Sequence, residues 1–237
     1  MLLVCLVGNA GATTFYCDPV SGSMDNNGSE AYPWSTLEAV FDNNKIETKD
    51  KDGNPKNQNA PVKAGDTLLL LSGYHGDIYE SVYFNDDYIT IQAAAGATAQ
   101  LKRFRLSGGK KWIIRGLDIS PSAAPTFERV IMVDLYSRSS TDGKCSDIIV
   151  EDCNVYTIAD SSGWTATDWD TKACNGINLG YEGSTGLVAR NNYLLNVNFG
   201  IFAEAPEALA EDNIIENFSG DGVRATWDDV VVQYYFI

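Results

Sequence analysis

The sequence predicts an all-β solenoid: a parallel β-helix with coils of about 22 residues and a short helix capping its N-terminal end. Three observations predict it. Glycine is frequent at 21 of 237 residues, helix signals are few, and Val/Ile/Tyr/Thr-rich runs are many, a composition that favours strands. Six strand-like segments, DYITIQA, KWIIRGLDI, DIIVEDCNV, GLVARNNYL, ALAEDNII and VVVQYYFI, share one register when keyed on Gln92, Arg115, Glu151, Arg190, Glu211 and Gln233. Their spacings are 23, 36, 39, 21 and 22, which is one base period with insertions in two of the repeats. A second apolar run follows in later repeats, as NGINL, FGIFA and DGVRA.

The column just before the keys is Ile91, Ile114, Val150, Ala189, Ala210 and Val232. All are apolar, as an interior stack requires. The keys from Arg115 to Glu211 alternate in charge, so stacked opposite charges support the ladder. GDTLLLLSG extends the frame backwards and sets Leu71 opposite Gln92. In the second run, Ile177, Ile201 and Val223 align inward, and alternation puts Asn178, Phe202 and Arg224 outward. Asn196 and Asn217 align between the two runs, with Thr157 before them, as an inter-coil hydrogen-bond ladder.

The N-terminal part is of another kind. Residues 1–12 carry a short apolar run, Leu2 to Val7, and an A-x-A-like site at Ala10-Gly11-Ala12; they read as a signal peptide and the chain as exported or displayed at the cell surface. Residues 13–64 form a cap of strand, helix and polar loop, and residues 65–237 the coils. In PWSTLEAVFDNN, Ser35 and Glu38 make a capping box ahead of Leu37, Val40 and Phe41, predicting a helix over about 36–43. Such a helix covers the open core end of a solenoid. At the other end VVVQYYFI opens a further coil, and the bare core this leaves predicts additional coils beyond Ile237, with any groove near Arg224 cut short.

Asp and Glu total 32 against 17 Lys and Arg, a net charge of −15 that excludes a nucleic-acid binder built on basic surface. No segment has the run of about 18 apolar residues a membrane helix needs. After Cys5, four cysteines remain, Cys17, Cys145, Cys153 and Cys174; their spacing fits no zinc pattern, so they are disulfide-bonded, in a connectivity the spacing leaves open, or buried free thiols.

The opening YCDPVSGSMDNNGSEAYPWSTLEAVF, the VKAGDTLLLLSGYHG coil, KKWIIRGLDIS and the RNNYL and EDNII repeats together resemble secreted right-handed parallel β-helix proteins, and more narrowly the polysaccharide-lyase-like branch with alginate-lyase and chondroitinase-B-like enzymes. The resemblance covers residues 14–237. It implies cleavage of a uronate-containing polysaccharide by β-elimination, with basic side chains, and in many relatives Ca²⁺, neutralising the uronate carboxylate. In the alginate-lyase pattern an Asn-Gly, glutamates, a lysine and an arginine stand on successive coils. Here Asn175-Gly176 and Arg224 match, and no glutamate stands at 178 or 202.

From the residues themselves, Arg224 is the candidate for binding the carboxylate, and Asp221 three residues earlier is its orienting partner or a metal ligand. The insertion DSSGWTATDWDTKACNG offers Trp164 and Trp169 for stacking on sugar, Asp168 and Asp170 as further metal ligands, and Lys172 as a base. Asn178 and Phe202 join the outer face as binding residues. Arg103 and Arg105 share a face in LKRFRLSGGKKWIIR, with Phe104 and Leu106 pointing inward. This run holds six of the seventeen basic residues, which reads as a polyanion patch or, more simply, a solvated face. The single histidine, His75, sits in a Gly-flanked turn and reads as structural. No organic cofactor is expected, since no phosphate-binding Gly loop is present, and the chain is expected to be a monomer. Two other functions share this scaffold. A glycoside hydrolase needs paired carboxylates across a groove, for which Asp168 or Asp170 with Asp221 is the available set. A binding or adhesin-like solenoid needs none.

Overall fold

The computed structural model describes residues 11–137 and 139–233. The leader expectation falls mostly on residues 1–10, outside the described residues, as do residues 234–237. The described strands wind into a three-faced parallel β-helix. Face A carries 77–81, 103–107, Ile131–Asp134, Asn175–Leu179, Ile201–Ala203 and Val223–Ala225. Face B carries Thr14–Cys17, Thr67–Leu70, 83–93 with a register shift between Phe84 and Ile89, 109–115, Cys145–Glu151, Thr185–Arg190, Leu209–Glu211 and Val231–Gln233. Face C carries Gly73–Tyr74, Ala99–Leu101, Asp118–Ile119, Asn154–Tyr156, Tyr193–Val197 and Ile214–Phe218. The strands Asp77–Ala93 and Arg103–Arg115 each run through two faces, bending between them.

Face B reproduces the predicted frame. Gln92, Arg115, Glu151, Arg190, Glu211 and Gln233 are register neighbours in that order, and the interior column one residue earlier stacks likewise. The charges pair as their alternation suggested. Glu151 accepts from Arg115 Nε at 2.5 Å and from Arg190 Nε at 2.7 Å, so one buried carboxylate ties three coils. The first coil is corrected by two residues: Leu69, not Leu71, faces Gln92. An all-leucine run gives no alternation to choose between them.

The residue after the key turns the corner. Gly116, Asp152, Asn191 and Asp212 all have left-handed backbone, with φ of 67, 57, 54 and 53°. Gly, Asn and Asp accept this region at low cost, which is why this corner carries them. Just beyond it, Asn213 is fully buried; its amide donates to the carbonyls of Ala189 and Glu211 while its oxygen accepts from Asn192 Nδ2 at 2.9 Å. The ladder read from the sequence is also present: Asn217 Nδ2 donates to Asn196 Oδ1 at 2.6 Å, and Thr157 Oγ1 accepts from the Cys174 amide.

The cap forms as helix α1 (Leu37–Asp42), with Leu37, Val40 and Phe41 buried. Its N-cap is Thr36, which accepts from the Ala39 amide at 3.1 Å, where the sequence pattern had favoured Ser35. Phe41 packs on Tyr83 and Trp112, with centroids 5.2 and 6.1 Å apart, closing the core at this end. The polar segment after α1, read as loop, contains a short antiparallel ladder of Thr48–Lys49 with Pro55–Lys56. His75 is fully buried and its Nε2 lies 2.7 Å from the Leu71 carbonyl, a structural placement. Cys17, Cys145, Cys153 and Cys174 are all free and buried, which resolves the cysteine alternatives against disulfides.

Candidate functional site

Face A presents one outward column without a break in register: Tyr79, Arg105, Asp134, Asn178, Phe202 and Arg224. Each step along it is one strand spacing, about 4.8 Å. The alternation responsible is visible in burial, since Phe104, Val133, Ile177 and Ile201, one residue back, are all in the core. Four of the predicted site residues, Arg105, Asn178, Phe202 and Arg224, are therefore brought together. Arg103 adjoins them two residues before Arg105 on the same strand.

The column's arginines differ in how they are compensated. Arg103 is held in a fork by Asp77, with Nε 2.8 Å and Nη2 2.7 Å from its two oxygens, and Lys102 reaches the same carboxylate at 3.1 Å. Arg224 donates to Asp221 at 2.6 Å, with both side chains about half exposed, and its guanidinium stacks 4.4 Å above the Phe199 ring. Arg105 has one carboxylate contact, Nε to Asp134 Oδ2 at 3.3 Å, which is longer than a good charge-assisted bond. Both Arg103 and Arg105 also lie over the ring of Tyr79, at 4.5 and 4.2 Å, and Tyr79 is itself exposed. The basic run is thus largely neutralised: Lys102 also meets Glu128, Lys111 meets a backbone carbonyl, and Arg115 meets Glu151.

At the centre of the column Asp134 and Asn178 are buried, with 8% and 6% of their surfaces exposed. Asp134 Oδ1 and Asn178 Oδ1 each lack any hydrogen-bond partner. Burial pushes the Asp134 carboxyl above the usual carboxylate range against the pull of Arg105. Sequence reasoning missed Asp134 and Tyr79. Asp134 lies inside the long insertion before Cys145, and Tyr79 at the start of a strand whose periodicity is interrupted by its bend.

The insertion forms its own unit beside this column. It contains helix α2 (Ala166–Lys172), which the sequence reading did not predict, opened by a capping box of Thr165 and Asp168. Asp168 also accepts from Lys172 Nζ at 2.6 Å, and the bonds from Lys172 and Thr165 hold its carboxyl well below the usual range. Trp164 and Trp169 pack edge to face, with centroids 4.9 Å apart, so the two rings form a small core for the loop, and each borders a hollow. One hollow, about 430 Å³, is lined by Trp169, Asp160, Ser161, Ser162, Asn196 and Asn217. The other, about 400 Å³, is lined by Trp164, Lys172, Phe127, Ile158, Ser122 and Ala124.

The predicted metal ligands are not assembled. Asp168 is committed to α2, Asp170 is exposed on the same helix, and Asp221 is paired with Arg224. Among the described residues no group of three or more His, Cys, Asp or Glu is placed to share a cation.

No family model matches the chain, and no curated protein matches it. Among solved structures it is similar to pectate lyase Pel9A, at 14% identity and a TM-score of 0.43, over 87% of this chain and 55% of that one. It is also similar to a rhamnogalacturonan lyase, at 12% identity and a TM-score of 0.44, over 92% of this chain and 64% of that one. The chain spans less than two thirds of either. The strand register defines the class to which it belongs, the parallel β-helix proteins. No helix among the described residues is long and apolar enough to cross a membrane.

Proposed function

We propose that the protein is an exported polysaccharide lyase that binds a uronate-containing polymer along face A and cleaves it by β-elimination. The observation that supports this most is the unbroken column from Tyr79 to Arg224, in which aromatic, cationic, acidic and amide side chains follow one another at strand spacing on a rigid scaffold. An extended acidic chain presents carboxylates and sugar faces at a comparably regular interval. Arginine fits such carboxylates through its planar fork of donors. In this reading Arg105 neutralises a uronate carboxylate, lowering the cost of charge that develops when the proton next to it is removed, while Arg224, paired with Asp221, borders the far end of the column. Tyr79, as its phenolate, takes that proton and, as the phenol, returns it to the glycosidic oxygen as the C–O bond breaks and the C=C bond forms. Lys172, tied to Asp168 and set beside Trp164, holds a neighbouring sugar rather than serving as the base.

The test is incubation with polygalacturonate, alginate and a glycosaminoglycan, following the ultraviolet absorbance of unsaturated ends. Tyr79→Phe and Arg105→Gln should each abolish the signal while leaving thermal unfolding unchanged. No unsaturated product from any of the three polymers would refute the lyase reading. Binding without turnover, lost in Trp169→Ala, would favour a carbohydrate-binding solenoid instead, a reading that the two hollows beside the tryptophans support.

A further inference from the structure

We propose that Arg105 is the anion-binding arginine of face A, and that Asp134 beneath it carries a proton, donated to Asn178 Oδ1, which leaves the charge of Arg105 free for a ligand carboxylate. The inference rests on the glycan reading for the ligand's identity, and on the buried geometry and desolvation of Asp134 for the proton. Two acceptor oxygens, Asp134 Oδ1 and Asn178 Oδ1, are buried on register neighbours and neither has a donor. Leaving buried acceptors unmatched costs about 1–3 kcal/mol each. A single proton on Asp134 matches both at once, as donor and acceptor. Desolvation favours the neutral acid, and it outweighs the opposing pull of Arg105, of the Tyr136 backbone N–H and of Arg103.

The charged and titratable groups facing Asp134 are Arg103 and Arg105 from the preceding coil and the Cys145 thiol from face B, with the neutral Asn178 on the next coil. Cys145 is itself pushed up to about 12 by burial, so it stays protonated and supplies no charge. Of the arginines on this face, Arg103 is bound in a fork by Asp77 and Arg224 by Asp221 at 2.6 Å. Arg105 alone among these three has as its carboxylate partner a group held neutral. With Asp134 protonated, the local charge is that of a free guanidinium resting on the Tyr79 ring. With Asp134 ionised, it is a closed ion pair. Asp134 is therefore a positioning residue, since its unpartnered oxygen is buried and cannot touch a ligand.

Two measurements decide it. The first needs no ligand: a carbon-detected NMR titration of the aspartate carboxyls in the intact protein. Asp134 should titrate above an ordinary aspartate. Titration of Asp134 near 4, with the Asn178 amide protons turned toward it, would overturn the proposal. The second is calorimetric binding of oligogalacturonate and oligomannuronate at about pH 5 and about pH 8, where uronate itself stays ionised. Wild type should bind one of them at least fivefold more weakly at the higher pH. Asp134→Asn should bind at both pH values as wild type does at the lower one, and Arg105→Gln should lose at least tenfold at both. Arg224→Gln should lose less than threefold. Pronounced pH dependence persisting in Asp134→Asn, or a larger loss in Arg224→Gln than in Arg105→Gln, would overturn the assignment. Absence of binding to either oligomer at both pH values would overturn the glycan reading and the role given to Arg105, with the titration still deciding the proton.

Discussion

Replacing Glu151 should unfasten three coils at once. Its side chain is about 5% exposed and is shared between Arg115 and Arg190, whose own side chains are 42% and 40% exposed. Hydrogen bonds to charged groups contribute about 1.5–3 kcal/mol each when sheltered. Two such contacts would give about 3–6 kcal/mol, and the exposure of both arginine heads roughly halves this through solvent screening. The expected loss in Glu151→Ala is about 1.5–3 kcal/mol, and roughly 3–12 °C in Tm for a chain of this size. Glu151→Gln should lose about half as much, since the amide oxygen still accepts. The sign with pH follows from the native contacts. Burial alone would raise the Glu151 carboxyl, but the bonds from Arg190 and Arg115 win and hold it below the usual range. Its contribution is therefore fully present above the unfolded value, about 4.3, and is lost as pH falls through the lower native value. Urea unfolding of wild type and both variants, between about pH 3 and pH 7, measures this. A loss below about 0.5 kcal/mol in Glu151→Ala, or one that does not shrink on acidification, would refute the coil-tying role.

Asn213→Ala should cost about 2–4 kcal/mol in urea unfolding, because it strands the carbonyls of Ala189 and Glu211 and the amide of Asn192 in the core. The four cysteines should resist a thiol reagent in the native protein and react fully in denaturant; burial pushes Cys17, Cys145 and Cys153 to about 12, and a reductant should leave Tm unchanged. Trp169→Ala should lower stability by no more than about 1.5 kcal/mol, the value of one aromatic pair, yet weaken oligosaccharide binding by about tenfold as read by fluorescence quenching.

Face B was legible because its period survives insertion: the keys keep an apolar neighbour and a corner residue wherever the coil is interrupted. Face A was half legible. Phe202 and Arg224 fall in the short coils, and Asn178, in the 39-residue coil, follows its insertion in an NGINL run that can be laid over FGIFA and DGVRA. Asp134 falls where the spacing jumps to 36, and a four-residue strand with three consecutive buried residues shows no alternation to mark its outward side. The α2 helix was missed for a related reason, since none of its residues is buried and it has no apolar stripe; Thr165 with Asp168 was the available signal. Glu38 drew the capping assignment to Ser35, whereas Thr36 has the extended backbone and accepts the bond.

The corner that follows the keys from Arg115 to Glu211 turns by a single left-handed position, so the coil's cross-section is fixed independently in each of those turns. Length along the axis is then a matter of counting. The six residues from Tyr79 to Arg224 occupy five steps, roughly 24 Å. A linear polymer lying on this face would be measured by the protein as by a ruler graduated in coils. Changing one outward residue alters the reading at one graduation, whereas inserting one coil of about 22 residues shifts every mark beyond it and leaves the marks before it in place.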